Sequence, residues 1–271
     1  MINLADKKKI VVKVGTSTLA YPTGNFNLRR VESLIRVLSD LKNSGKEIVF
    51  VTSGAVGVGR GVLATPTESA MSMQEKQAFA AIGQSELMNI YKNEFSKYSH
   101  KVAQILLTRD VVANRERKEN VTNTLKTLLE WGIIPIINAN DSVSIEQLDF
   151  DENDTLSAIT AKLCGADLLV MLTDVNGLYD KNPAAYPDAK LLPLVNKITY
   201  DMIDSAKDKG SELSKGGMLT KLEAAALALE DNIDTVIING DNPEILYDLF
   251  NNKAVCTIIT GKKTANIGEP V

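Results

Sequence analysis

Ile10-Val11-Val12-Lys13-Val14, running directly into Gly15-Thr16-Ser17-Thr18, reads as a buried strand that ends in a polar, glycine-bearing turn. Its residues are almost all apolar rather than alternating, the pattern of a strand covered on both faces. Leu28, Val31, Leu34, Ile35, Leu38 and Leu41 follow at helical spacing, with Asn27 placed to cap the start and Gly45 to stop the end. The same alternation then repeats along the chain. Strands are predicted at Glu47 to Thr52, Lys101 to Leu107, Ile133 to Ile137, Asp167 to Leu172, Asp234 to Ile238 and Val255 to Thr260. Helices are predicted at Met71 to Phe95, Val121 to Glu130, Thr155 to Leu163, Asp201 to Ala206, Met218 to Glu230 and Pro243 to Phe250. Short apolar strands alternating with helices define an α/β fold with a mainly parallel central sheet flanked by helices on both faces, a three-layer α/β/α arrangement.

In such a sheet, ligands gather at the carboxyl ends of the strands. Those ends are Gly15-Thr16-Ser17, Ser53-Gly54, Asn138 to Asp141, and Thr173-Asp174. Four polar or glycine-rich turns at four strand ends point to one site. No internal repeat or low-complexity linker interrupts the chain. The proline-bearing stretch from Asn182 to Pro193 is the best boundary between two halves of a single domain over residues 1–271.

Composition narrows the classes. The chain has 271 residues, 44% hydrophobic and 24% charged, ordinary for a globular domain. A net charge of −4 gives no basic surface for nucleic acid. No apolar run is long enough to span a bilayer, and Met1 to Lys9 lack a signal-peptide core. Cys164 and Cys256 sit apart in apolar contexts without a C-x-x-C, so a cytoplasmic protein with buried, reduced thiols is expected. His100 is the only histidine. That argues against histidine-rich metal sites and histidine-based triads, and leaves lysines, carboxylates, amides and backbone dipoles to carry any chemistry.

Gly216-Gly217-Met218-Leu219-Thr220-Lys221 opens an alanine-rich helix. Two glycines admit a ligand close to the backbone, the helix start offers free N–H groups, and a lysine one turn in adds a charge. The combination suits a polyphosphate, although it lacks the P-loop spacing. Glycines for tight helix packing are the alternative. Lys13 lies inside an apolar strand, where an ammonium group is costly unless paired or bound to an anion; an edge position is the alternative. Lys13 and Lys221 together fit phosphoryl transfer, which is mostly positioning and charge neutralisation. Asp154 and Asp174 are the carboxylates best placed to hold the lysines or Mg²⁺, with a helix cap or turn role as the alternative. Asp141 and Asn153 flank a polar loop and offer groups for an ammonium and a carboxylate, where Asx turns explain them equally well. Without a histidine base, a carboxylate acceptor, already ionised at neutral pH, fits; an aspartate acting as the base is the alternative.

At these residues the chain resembles the amino acid kinase family. The matching segments are Val11 to Ser17, Val51-Thr52-Ser53-Gly54-Ala55, Ala81-Ile82-Gly83-Gln84, Leu106-Leu107-Thr108-Arg109, Ile136 to Asp141, Asn153 to Ala158, Leu172-Thr173-Asp174 through Gly177-Leu178-Tyr179, and Gly216 to Lys221. They run in family order over nearly the whole chain. Within the family, the resemblance is to the branch that phosphorylates the side-chain carboxylate of free L-glutamate with MgATP, opening proline synthesis. It implies a nucleotide half at about 181–271 and an acceptor half at about 1–180. Lys13 and Lys221 would stabilise the transferring phosphoryl group and Asp154 would orient them. Ser53, Gly54, Asp141 and Asn153 would bind the acceptor. Lys13, Gly15, Thr173, Asp174, Lys215, Gly216, Gly217, Met218 and Lys221 would hold ATP. A homo-oligomer, proline as feedback inhibitor and glutamyl phosphate reductase as pathway partner are expected from the resemblance alone.

Some positions depart from the pattern. The chain ends before the C-terminal PUA domain that many such relatives carry. Ser214-Lys215 stands where Gly-Thr is common, Ala139 where an acidic residue is common, and Glu152 where an aspartate is common. Sister kinases acting on acetylglutamate, aspartate, carbamate or UMP are the nearest rivals. Gly54, Gly57, Gly59 and Gly61 do not make G-x-G-x-x-G, which argues against a Rossmann oxidoreductase. A catalytically silent amino acid sensor on the same scaffold is a third reading, opposed by the retained lysines.

Overall fold

The computed structural model describes residues 2–19, 21, 26–64, 71–108, 110–143, 152–183, 185–207 and 217–261. In chain order these form β1 (Lys9–Val14), α1 (Thr16–Leu19), α2 (Leu28–Asn43), β2 (Glu47–Val51), α3 (Ala55–Val62), α4 (Met73–Ser96), β3 (Val102–Leu107), α5 (Asp110–Ala113) and α6 (Arg115–Glu130). They continue with β4 (Ile134–Ala139), α7 (Glu152–Cys164), β5 (Leu168–Thr173), β6 (Leu194–Val195), α8 (Tyr200–Lys207), α9 (Met218–Leu229), β7 (Asp234–Asn239), α10 (Ile245–Phe250) and β8 (Cys256–Ile259).

The strands form one sheet in the order β3-β4-β2-β1-β5-β7-β8-β6. Every pair from β3 to β7 is parallel. β8 runs antiparallel to β7, and β6 parallel to β8. The mainly parallel sheet read from the sequence is therefore present, with one edge reversed.

Strand alternation divides the core in two. Ile10, Val12 and Val14 join Phe50, Ile136, Val170 and Val236 on the face covered by α2, α4 and α10. Val11 joins Val49, Val51, Ile137, Met171 and Ile237 on the opposite face, against α7 and α9. Lys13 has the parity of Val11, so its side chain enters the α7/α9 layer. Ala158 and Ala161 of α7 and Ala224, Ala225 and Ala228 of α9 are buried in that layer. Such small side chains let helices lie close together.

Two expectations are corrected, and one helix lies where none was expected. The glycine-rich stretch after Ser53 forms α3, burying Ala55, Val58 and Gly59 at helical spacing. Three glycines in eight residues weaken a helix intrinsically, but packing overrides this. A Cβ on Gly83 of α4 would lie 1.8 Å from the Ala55 carbonyl oxygen, and one on Gly59 would lie 2.0 Å from that of Phe79. The two helices touch backbone to backbone. α6 starts at Arg115 rather than Val121, because Asn114 accepts a hydrogen bond from Arg117 N–H and the first turns are exposed and charged. α7 starts at Glu152 rather than Thr155, which places Asn153 and Asp154 inside the helix.

His100 has a packing role: its Nε2 lies 3.3 Å from the Ser39 carbonyl oxygen. Cys164 and Cys256 are free and buried. Burial pushes the Cys164 thiol up to about 12 and that of Cys256 to about 11, so both behave as inert apolar groups.

Candidate active site

Parallel registry aligns the strand ends. Ile137, Val51, Lys13, Met171 and Ile237 form one row across β4, β2, β1, β5 and β7. Two residues further along each strand lie Ala139, Ser53, Gly15, Thr173 and Asn239. The four turns singled out in the sequence therefore belong to four adjacent strands at one level.

At the centre, Lys13 is 7% exposed and Asp154 1%. Lys13 Nζ is 2.7 Å from Asp154 Oδ1. Lys221, 6% exposed in the first turn of α9, places Nζ 3.2 Å from Asp154 Oδ2. One carboxylate thus holds two buried ammonium groups, one from the central strand and one from a helix on the same side. Burial by itself would raise the Asp154 carboxyl. The charges of Lys13 and Lys221, with hydrogen bonds from Lys13 and Thr220, outweigh it and hold the group below the ordinary carboxylate range. The cap alternative for Asp154 does not hold, since its oxygens are taken by these side chains. Lys13 is likewise not at an edge, because β1 pairs on both sides.

Thr220 is a residue the sequence reading left without a role. Its Oγ lies 2.9 Å from Asp154 Oδ2 and 2.9 Å from the Gly217 carbonyl oxygen. It ties the start of α9 to the first turn of α7. Gly217 is the N-cap of α9 and supplies no side-chain cap, so helix-start N–H groups remain for a ligand. Met218 packs against the α7/α9 core. Lys215 and Gly216 lie outside the described residues, as do Ser214 and Arg109.

Around Gly15 and Gly54 the chain turns tightly. Ser53 Oγ donates to the Val14 carbonyl oxygen at 3.1 Å and lies 3.2 Å from Thr16 Oγ1. Gly54 has φ +93°, a left-handed conformation that favours glycine, and it opens α3. Thr173 donates to Asp174 Oδ1 at 3.0 Å, and Asp174 is exposed beside it.

A cavity of about 410 Å³ opens beside these turns. Ala55, Gln84, Gln104, Asn140 and Asp141 are among its lining residues. Burial raises the Asp141 carboxyl to about 6, the mark of a carboxylate without a compensating cation. Asn153 Oδ1 is buried without a hydrogen-bond partner. Asp141 lines the cavity and Asn153 is not among its lining residues; each offers an oxygen suited to an ammonium group. The departure at Ala139 also lines this cavity. Gln84 and Asn138, which the sequence reading gave no role, form part of its wall and support: Asn138 Nδ2 donates to Gln84 Oε1 at 2.8 Å.

Among the described residues no three His, Cys, Asp or Glu side chains cluster as metal ligands. No helix among them is long and apolar enough to cross a membrane.

A three-layer α/β fold with a lysine–aspartate–lysine cluster at the strand ends defines a phosphoryl-transfer class. The amino acid kinase family model matches residues 8–239, and the chain belongs to that family. The chain is 50% identical over 264 residues to a glutamate 5-kinase of Clostridium perfringens, covering 96% of this chain and 98% of that one. It is 48% identical over 265 residues to a glutamate 5-kinase of Listeria innocua, covering 96% of each. Among solved structures, a UMP kinase from Bacillus anthracis superposes with a TM-score of 0.66 at 19% identity, over 95% of this chain and 97% of the other. A UMP kinase from Ureaplasma parvum gives 0.64 at 20% identity, over 94% and 99%. At such identities these two likenesses concern the fold alone.

Proposed function

We propose that the protein transfers the terminal phosphoryl group of ATP to the side-chain carboxylate of L-glutamate, forming γ-glutamyl phosphate for proline synthesis. The observation that carries this is Asp154 holding Lys13 and Lys221 together at the strand ends, in a chain half-identical to glutamate 5-kinases. The buried ammonium groups suit the charge of a phosphoryl group in transit. ATP supplies that group, with Mg²⁺ offsetting charge on its phosphates. Gly15, Thr173, Asp174, Lys215, Gly216, Gly217 and Met218 are the proposed nucleotide contacts. Ser53, Gly54, Asp141 and Asn153 are the proposed acceptor contacts, with the Asp141 carboxylate and the partnerless Asn153 Oδ1 taking the ammonium.

The acceptor needs no general base, because a carboxylate attacks in its ionised form. The chain's work is then to align the acceptor and to keep Lys13 and Lys221 charged and still. On this reading residues 1–180 form the acceptor half and 181–271 the nucleotide half. A homo-oligomer, inhibition by proline and hand-over to glutamyl phosphate reductase belong to the same proposal.

Hydroxylamine trapping of the acyl phosphate, with purified protein, MgATP and single amino acids, tests it. Hydroxamate formed with L-glutamate but not with aspartate or acetylglutamate is expected. Nucleotide binding without hydroxamate from any carboxylate would refute it.

A further inference from the structure

A ladder of side-chain amides runs through the cavity wall and ends on its surface. It starts from a backbone group: Ala139 N–H donates to Asn138 Oδ1 at 2.9 Å. That leaves Asn138 Nδ2 as the donor to Gln84 Oε1 at 2.8 Å. Gln84 Nε2 is then the donor to Gln104 Oε1 at 3.1 Å. A backbone N–H cannot reverse its role, so the orientation of all three amides follows from it. The ladder leaves the NH₂ of Gln104 uncommitted, on an exposed residue at the cavity's lining.

The ladder resists reorientation. Asn138 is 1% exposed and Gln84 9%, and an unsatisfied buried amide is costly. Gln84 also follows Gly83, whose backbone contact with Ala55 sets the seat of α4. Asp141 and Ser142 line the same cavity from the end of β4. The cavity lining thus includes the uncommitted Gln104 NH₂ and the Asp141 carboxylate, the complement of a zwitterion.

We propose that Gln84 is a positioning residue for acceptor specificity: held by Asn138, it turns the Gln104 NH₂ into the cavity to receive the acceptor carboxylate that is not phosphorylated. This rests on the amino acid phosphorylation reading above. The class of acceptor it selects is a free α-amino acid with a second carboxylate.

The test compares kcat/KM for L-glutamate and for 4-aminobutyrate, which keeps the ammonium and the reacting carboxylate but lacks the other one. Gln84→Glu, assayed at pH 8, still accepts from Asn138 but has no N–H for Gln104. Gln104 then donates to the new carboxylate and turns its oxygen to the cavity. The value for L-glutamate is expected to fall roughly 10- to 100-fold, with little change for 4-aminobutyrate. Gln104→Met should erase the same preference, and adding Gln84→Glu to it should change nothing further. Gln84→Met, which cannot orient Gln104 at all, covers the case of a carboxyl that stays protonated, and should also lose the preference. Equal losses for both acceptors, or an intact preference in both Gln84 variants, would overturn the proposal. Failure of the phosphorylation reading looks different, since wild-type protein would then yield acyl phosphate with neither compound. Calorimetric titration with the same two amino acids reads the ladder in that case. A binding preference for L-glutamate that Gln84→Glu removes sustains it, and absence of any preference sinks it.

Discussion

Lys13 and Asp154 form a 2.7 Å ion pair between the central strand β1 and the first turn of α7, with both side chains almost wholly buried. Losing the carboxylate would leave the Lys13 ammonium without this partner, which typically costs roughly 3–5 kcal/mol. Asp154→Ala is therefore expected to lower the urea midpoint substantially as well as turnover. The depressed carboxyl adds a pH signature: its contribution is present above the ordinary value of 3.8 and is lost as pH falls through the folded value. Denaturation curves between pH 3 and 7 should show that acid-side loss in the wild type and a smaller one in Asp154→Ala.

Lys221 approaches the other oxygen of the same carboxylate. Acting mainly on charge that develops during transfer, it should affect turnover more than ground-state binding. Lys221→Ala is expected to lower kcat by roughly 10²–10³ with little change in the KM for L-glutamate. Full turnover in that variant would remove the role assigned to it.

Asp141 shows the opposite shift. Burial raises it to about 6 from 3.8, so the folded protein holds a proton there between those values when the unfolded chain does not. Its stability contribution is full below 3.8 and is lost as pH rises through about 6. Asp141→Asn should therefore stabilise the ligand-free protein at pH 7, by at most about 3 kcal/mol and by less because the group is only half-buried. Binding an ammonium requires the ionised form. The KM for L-glutamate should rise as pH falls below about 6 in the wild type. In Asp141→Asn it should be high and nearly flat with pH.

Gly83 and Gly57 make a matched pair of tests. A Cβ at Gly83 would sit 1.8 Å from the Ala55 carbonyl oxygen, whereas one at Gly57 would meet nothing within 4 Å. Gly83→Ala is expected to cost roughly 1–3 kcal/mol or more and to raise the acceptor KM, because Ala55 and Gln84 line the cavity. Gly57→Ala should be tolerated or slightly stabilising, since alanine favours the helix. Thermal melts and acceptor titrations of the two variants check this.

Much of the architecture was legible because its signals are local. Continuous apolar runs marked every strand from β1 to β5 together with β7 and β8, and the polar turns after β1, β2, β4 and β5 marked the ligand side. α3 was hidden because Gly57, Gly59 and Gly61 disfavour a helix on local propensity, and only its close packing on α4, at Gly59 and Gly83, overrides them. The start of α7 was hidden because it grows out of a polar, Asp- and Asn-rich stretch, which disguised Asp154 as a cap. The two-residue β6 carries too few residues for any period.

By itself the sequence determined the mainly parallel sheet, the level at which ligands gather and the family, since apolar periodicity and ordered motifs are written along the chain. Only the tertiary structure decided which face Lys13 enters, that Asp154 spans both lysines with Thr220 beside it, and that Gln84 links Asn138 to Gln104. The reason is physical. The contacts of Asp154 with Lys221 and Thr220, and of Asn138 with Gln84, join residues 67, 66 and 54 positions apart. No periodicity reports such a separation; it is set by strand registry and by how closely glycine- and alanine-faced helices pack.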